Sequence, residues 1–255
     1  MDTTDDITRE QATCRTCGRE FSAAVCMSPF NPGKVLARQL HCDACVTAEH
    51  ERMAQGRAAA ARDKAERELE DAWARICPMA YRSRFEGGQT DMGRIEANPA
   101  WPEIAGHTLG PMGLILRGPT GAMKTRCMFR LLRSYHVQTP RPRIVAMTAG
   151  EFDRGARDAG GDFTVSKWFH RLAQADAIFL DDVGKGKWTA ATAGQFWELV
   201  DARTKDGRPI FMTTNLSGRT LVDHLGLGPD IGEPLLRRLR ESCKVVVMGE
   251  KRERP

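Results

Sequence analysis

The sequence predicts an α/β chain: a parallel sheet covered by helices, preceded by a small four-cysteine module and a linking helix. Three observations predict it. From Gly113 onward, short apolar runs alternate with helix-patterned ones, and such alternation implies a parallel sheet with helices on both faces. The apolar runs end in polar residues, which places those residues at the carboxyl edge of the sheet, where ligands bind in this architecture. Ahead of that region lie two C-x-x-C pairs and a proline-free run rich in Ala, Glu and Arg, which read as separate parts.

Composition bounds the rest. A chain of 255 residues holds one α/β domain of ordinary size plus a small accessory module. Hydrophobic residues make up 41%, and no uninterrupted apolar run approaches the ~18 residues of a membrane span, so no membrane role is expected. The opening "MDTTDDITRE" is acidic and polar, without the basic start or apolar segment of a secretory signal, which points to the cytoplasm. There the eight cysteines stay reduced, and regularly spaced pairs read as metal ligands rather than disulfides. The net charge of +5 permits a nucleic-acid partner without arguing for one.

Residues 1–46 read as the four-cysteine module. Cys14 and Cys17 in "CRTC" and Cys42 and Cys45 in "CDAC" have 24 residues between them, close to the two-knuckle spacing of a four-thiolate zinc site. Pro29, Pro32 and Gly33 between the pairs suit a ribbon with little core, which then depends on its metal to fold. Cys26 and His41 lie close enough to substitute as ligands. Cys77, Cys127 and Cys243 have no partner at ligand spacing and read as buried small residues.

Residues 47–110 read as a linker. From about Val46 to Arg75 a helix is expected, with Ala65, Leu69, Trp73 and Ile76 as a narrow apolar stripe and Pro78 as its end. The stripe either joins the module to the main domain or docks on a partner protein. Arg82 to Gly110, with Gly87-Gly88, Pro99 and Pro102, reads as an irregular lead-in.

Residues 111–255 carry the alternating pattern. Strands are expected at "GLILRG", "RIVAMTA", "AIFLDDV", "PIFMTTN" and "KVVVMG", with helices at "MKTRCMFRLLRSY", "VSKWFHRLAQA", "ATAGQFWELVDARTKDG" and "EPLLRRLRE". Between the first strand and first helix stands "GPTGAMKTR", Gly118, Pro119, Thr120, Gly121, Ala122, Met123, Lys124, Thr125 and Arg126. A strand before and a helix after are what a phosphate loop requires if its backbone N–H groups and the helix N-terminus are to face an anion. Gly118 and Gly121 supply the turn, Lys124 reaches the β- and γ-phosphates, and the Thr125 hydroxyl holds magnesium. Met123 occupies the place of a glycine. With a negative φ it is tolerated; with a positive φ it costs about 1–2 kcal/mol.

Later elements complete the pattern. "AIFLDDV" ends in Asp181, placed to hold magnesium through water, and Asp182, placed to polarise the attacking water. "FMTTN" ends in Thr213, Thr214 and Asn215, whose uncharged amide can hold that water. "EPLLRRLRE" carries Arg237, Arg238 and Arg240. There is no N-K-x-D for guanine selection, no transporter signature and no succession of helicase motifs, so ATP is the expected nucleotide.

"GPTGAMKTR", "IFLDDVGKGKWT", "DARTKDGRPIFMTTN" and "LLRRLRE", spanning about Gly113 to Arg254, resemble the P-loop AAA+ ATPases of the initiator and helicase-loader branch. That branch includes DnaC-type loaders and IstB-type transposition helpers; the cysteine-bearing front end with "CPMAYR" also looks like small phage or prophage ATP-binding proteins. The resemblance implies Walker A residues at Lys124 and Thr125, a Walker B pair at Asp181 and Asp182, a first sensor at Asn215 and an arginine finger at Arg238. Arg252 or Arg254 would serve as second sensor. It further implies an ATPase with ATP and magnesium as cofactors, beside the zinc that the cysteine spacing implies. Its expected partners are a hexameric replicative helicase, single-stranded DNA and further copies of itself. A transposition helper, or an adaptor that holds nucleotide without turnover, are the alternatives.

Overall fold

The computed structural model describes residues 7–28, 30–31, 33–82, 89–138, 140–160 and 166–249. The chain divides into two compact units, Met1–Glu68 and Leu69–Pro255.

In the first unit, β1 (Ile7–Thr13), β2 (Glu20–Met27) and β3 (Val35–Arg38) form an antiparallel sheet in that order. Successive side chains of a strand point to opposite faces; along β2, Ala23 and Val25 turn inward and are fully buried. The core is that small. The first C-x-x-C follows β1, and the second opens α1 (Asp43–Ala74). This helix forms because its Ala, Glu, Arg and Lys residues have strong helix propensity and no proline interrupts them. Residues 47–68 of it are exposed, including Ala65; the rest of the expected stripe, Leu69, Trp73 and Ile76, belongs to the second unit, where Trp73 is buried and Ile76 packs against its core.

In the second unit, the end of α1 is followed by α2 (Met79–Arg82), α3 (Gln89–Glu96) and α4 (Trp101–Ala105). The lead-in read as irregular is therefore largely helical, in turns too short to leave a periodic signature. Next come β4 (Gly113–Arg117), α5 (Lys124–His136), β5 (Ile144–Thr148), α6 (Ala149–Asp158) and α7 (Lys167–Gln174). The unit ends with β6 (Ala177–Val183), α8 (Ala190–Lys205), β7 (Ile210–Thr214), α9 (Gly218–His224), α10 (Pro229–Ser242) and β8 (Cys243–Val247). The five strands order β5-β6-β7-β4-β8, every neighbour parallel.

Period-two alternation feeds two cores. Leu114, Leu116, Phe179 and Phe211 pack with α5, the end of α1, and Ile95 and Ile104 of α3 and α4. Ile115, Ile178, Leu180, Ile210 and Met212 pack on the other side with α6, α7, α8 and α10. Helices thus cover both faces, as the sequence predicts. Gly113 begins β4 because a Cβ there would strike the Ile210 carbonyl oxygen of β7. Arg203, fully buried on α8, donates to the carbonyls of Leu172, Ala173 and Ala175 at the end of α7 and to that of Pro209 before β7. It satisfies helix-end acceptors that would otherwise be orphaned and ties α7 to the start of β7.

Candidate functional site

The parallel sheet brings the ends of β4, β6 and β7 to one edge. After β4 the chain turns through Gly118, where a Cβ would collide with the Met248 carbonyl oxygen beyond β8; any other residue would push the loop off its neighbour. Gly121 has φ +87°. Met123 caps α5 at φ 66°, ψ 17°, the left-handed region. The positive-φ alternative is the one realised, and Met123 bears its cost of about 1–2 kcal/mol.

Lys124 opens α5 and is buried, 6% exposed. An ammonium has three protons to donate, and all three are taken: by the Gly118 and Pro119 carbonyls at 2.9 Å and by Asn215 Oδ1 at 2.7 Å. Burial lowers its pKa, opposed by the charges of Asp182 and Asp181. Asn215 Nδ2 in turn donates to Thr120 Oγ1 at 3.3 Å. The Thr125 hydroxyl donates to Asp181 Oδ1 at 2.7 Å, and Thr213 Oγ1 donates to the same oxygen at 2.5 Å. Burial raises the Asp181 carboxyl above its ordinary value, against the pull of those two hydroxyls.

Asp182 follows at φ 56°, a conformation an aspartate tolerates better than most residues. The register of β6 against β7 shifts between Leu180 and Val183, so the two adjacent aspartates escape strict alternation. The Asp182 N–H donates to Thr213 Oγ1 at 2.8 Å, and Lys185 Nζ stands 3.4 Å from its carboxylate.

Thr120, Gly121, Met123, Lys124, Thr125, Arg126, Asp182 and Asn215 line one cleft of about 450 Å³, and Asp181 adjoins it through Thr125. Pro119 and Ala122 complete the loop backbone. Tyr81, Arg94 and Lys185 also line the cleft. The Tyr81 ring lies 5.5 Å from the Arg126 guanidinium carbon, and Asn98 Nδ2 donates to the Ala122 carbonyl at 3.4 Å. Sequence reasoning missed these contributors from before β4, since nothing in their spacing ties them to a loop some 20 to 40 residues away.

Arg238 does not join the cleft. On α10 it pairs with Asp201 of α8 at 3.3 Å and with Glu241 at 3.8 Å. Arg252 and Arg254, read as second-sensor candidates, lie outside the described residues.

In the other unit, the sulfurs of Cys14, Cys17, Cys42 and Cys45 all lie within 4.8 Å of one another. Cys26 and His41 stand apart: Cys26 Sγ contacts the Met27 carbonyl, and His41 Nδ1 contacts Thr16 Oγ1 at 2.9 Å. Four thiolates at ~2.3 Å from a zinc at the centre of a tetrahedron are about 3.8 Å apart, and Cys17 Sγ and Cys42 Sγ are 3.7 Å apart. The Cys42 N–H donates to Cys14 Sγ at 3.3 Å. That amide, then those of Cys17 and Thr16, pull the Cys14 thiol down to about 5, while hydrogen bonding to Cys17 and Cys42 pushes Cys45 up to about 12. The donor set fits a four-thiolate metal.

No family model matches the chain. A protein of Mycobacterium tuberculosis named as an ATP-binding protein in an insertion sequence is 27% identical over 192 residues, 68% of this chain and 71% of that one. The crystal structure of DnaI superposes with a TM-score of 0.52 at 19% identity, over 66% of this chain and 94% of DnaI. Domain III of the replication initiation protein DnaA from Thermotoga maritima gives 0.51 at 16% identity over 68% of each chain. The fold is that of the AAA+ ATPases. Within this AAA+ fold Lys124, Thr125, Asp182 and Asn215 meet at one cleft, and the four cysteines cluster with the geometry of a four-thiolate metal site. Among the described residues, no helix is long and apolar enough to cross a membrane.

Proposed function

We propose that the chain binds and hydrolyses ATP in this cleft and uses the cycle to load or remodel a hexameric replicative helicase on single-stranded DNA. One observation carries the nucleotide reading: the ammonium of Lys124, the Thr125 hydroxyl, the two carboxylates and the Asn215 amide converge where a phosphate loop meets the start of α5. There the loop amides and the helix N-terminus receive the phosphates. Lys124 exchanges its two loop carbonyls for phosphate oxygens, gaining an anionic acceptor for neutral ones. Thr125 and Asp181 offer the hard oxygen donors that suit magnesium, which supplies neutralising charge to the phosphates. Asn215 orients a water, and Asp182 draws a proton from it as its oxygen attacks the γ-phosphorus and the bond to the β-γ bridging oxygen breaks. Cys14, Cys17, Cys42 and Cys45 would hold a structural zinc.

The insertion-sequence relative favours a second reading, a transposition helper that delivers a transposase to target DNA. Both readings share the ATP cycle. Lys124→Ala is expected to weaken nucleotide binding, and Asp182→Asn to keep binding but lose roughly a hundredfold or more in turnover. A fluorescent ATP analogue and phosphate release measure the two. Wild type without hydrolysis, even with single-stranded DNA and a partner present, leaves an adaptor that holds nucleotide. Co-purification with a helicase or with a transposase from the same genome separates the clients.

A further inference from the structure

We infer that a basic groove between α7 and the outer strand β5 is where the ATPase unit holds single-stranded nucleic acid. The inference rests on the reading above that the chain works on single-stranded DNA, and it assigns that contact to residues away from the phosphate loop.

The groove has a volume of about 720 Å³. Its cations are Arg75, Arg141, Arg143, Lys167 and Arg171, all exposed, and it is lined by no carboxylate. They come from three stretches of chain. Arg75 follows α1, Arg141 and Arg143 lead into β5, and Lys167 and Arg171 lie on α7. On α7 the spacing is strict: Lys167, His170, Arg171 and Gln174 recur at helical intervals and face the groove, while Phe169, Leu172 and Ala173 bury the opposite side. The stripe runs along a helix of eight residues, about 12 Å.

Cations on a folded surface are commonly neutralised by neighbouring acids, and here one is: Arg143 lies 3.7 Å from Asp176 and donates to the Gln174 carbonyl. Arg75, Arg141, Lys167 and Arg171 have no acidic partner among the described residues. Four unpaired cations around one concavity concentrate positive potential within it. His136, at the groove's inner wall, is buried, and burial lowers its pKa, so it adds no charge near neutrality.

The floor decides which polyanion fits. It is apolar, built from Ile76, Pro142, Ile144, Val145 and Ala175. A duplex keeps its bases stacked inside and has no free base face to lay on the floor. A single strand can set phosphates against the cationic rim and lay unstacked bases on the floor, with arginine planes available to stack on them. An acidic peptide would satisfy the rim but would leave the floor without flat partners.

The test uses the full chain and a labelled oligo-dT, with affinity read by anisotropy across a salt series. Each phosphate neutralised on a single strand contributes about 0.7 to the slope of log affinity against log salt. Replacing two exposed cations, Arg141→Gln with Arg171→Gln, is expected to lower that slope by about 1.4. Basal ATP turnover of the double variant, unchanged, shows that the unit still folds. Wild type is expected to prefer oligo-dT to the matching duplex and to resist competition by poly-glutamate. Equal slope and affinity in wild type and variant overturn the groove assignment while leaving DNA binding elsewhere on the chain. Equal competition by poly-glutamate overturns it in favour of an acidic protein. Wild type that binds no oligo-dT overturns both the groove and the DNA part of the function.

Discussion

Met123 holds a left-handed backbone where glycine has no steric penalty, and it does so at the first step into α5. Its side chain packs beside the core that contains Phe129 and Leu131, which recovers part of the cost. The backbone argument makes a directional prediction. Met123→Gly is expected to bind and turn over ATP as well as wild type or better. Met123→Ile, β-branched and worse suited to positive φ, is expected to weaken nucleotide binding. If the order reverses, packing rather than φ governs the position. Asp181 supplies a second prediction at this scale. Burial raises its folded-state pKa above the unfolded value, so the folded state binds the extra proton and stability falls as pH rises from the unfolded pKa through the folded one. Asp181→Asn is therefore expected to melt higher than wild type at pH 7 without nucleotide, with the difference shrinking on acidification through the carboxylate range. The same change should abolish magnesium-dependent ATP binding, because the amide offers no charge to the metal. A variant that melts lower at pH 7 would show that the hydroxyls of Thr125 and Thr213 need the carboxylate more than burial opposes it.

At the scale of elements, the C-x-x-C turns are the local structures with a cofactor at stake. Cys14 follows β1 and Cys42 precedes α1, so one metal would tie both ends of the small sheet to the helix start. One zinc per chain is expected by elemental analysis. Cys14→Ser or Cys42→Ser should release it and unfold β1 to β3 while ATP binding persists. Cys26→Ser and His41→Ala should retain it, since both side chains stand outside the cluster. Metal content near zero in protein purified without chelator removes zinc from the account. These turns were legible in sequence because two thiolate pairs carry their geometry in their spacing. The five parallel strands were legible because each is a short apolar run between helical periods. Helix α6 was not read, although Thr148 and Glu151 form a reciprocal capping box that its sequence spells as T-x-x-E. Helix α9 and the three short helices before β4 were missed because one or two turns give too few residues to show a period. The three strands of the small sheet escaped for a different reason: β1 and β3 are exposed along nearly their whole length, so apolar alternation has almost nothing to mark. In the cleft, residues at strand ends were predictable from topology. Tyr81, Arg94 and Asn98 were not, since tertiary packing alone brings them to the loop.

For the molecule as a whole, the open question is whether one chain completes its own site. Lys124, Thr125, Asp181, Asp182 and Asn215 are gathered within the chain, and no arginine of α10 lines the cleft. Arg238, the residue expected to act as a finger, is about 29% exposed and leans on Asp201. We propose that it acts on the γ-phosphate of a neighbouring copy, leaving Asp201 when copies assemble. Asp201 would not be stranded, because Lys205 already pairs with it at 2.5 Å. For the same reason Arg238→Ala is expected to fold, with its melting temperature close to that of wild type. It should keep ATP binding and lose turnover, by roughly 10³-fold or more if the finger matches those of well-studied nucleotide hydrolases. Mixing it with Lys124→Ala should restore part of the rate, since one mixed interface then has an intact pocket facing an intact arginine. Wild-type turnover per chain should also rise with protein concentration. Arg237 and Arg240 are exposed on the same helix, and their removal should matter less. Turnover per chain that is flat on dilution, or a mixture that stays inactive while both variants assemble, would return Arg238 to its visible role as the ion-pair partner of Asp201 between α8 and α10.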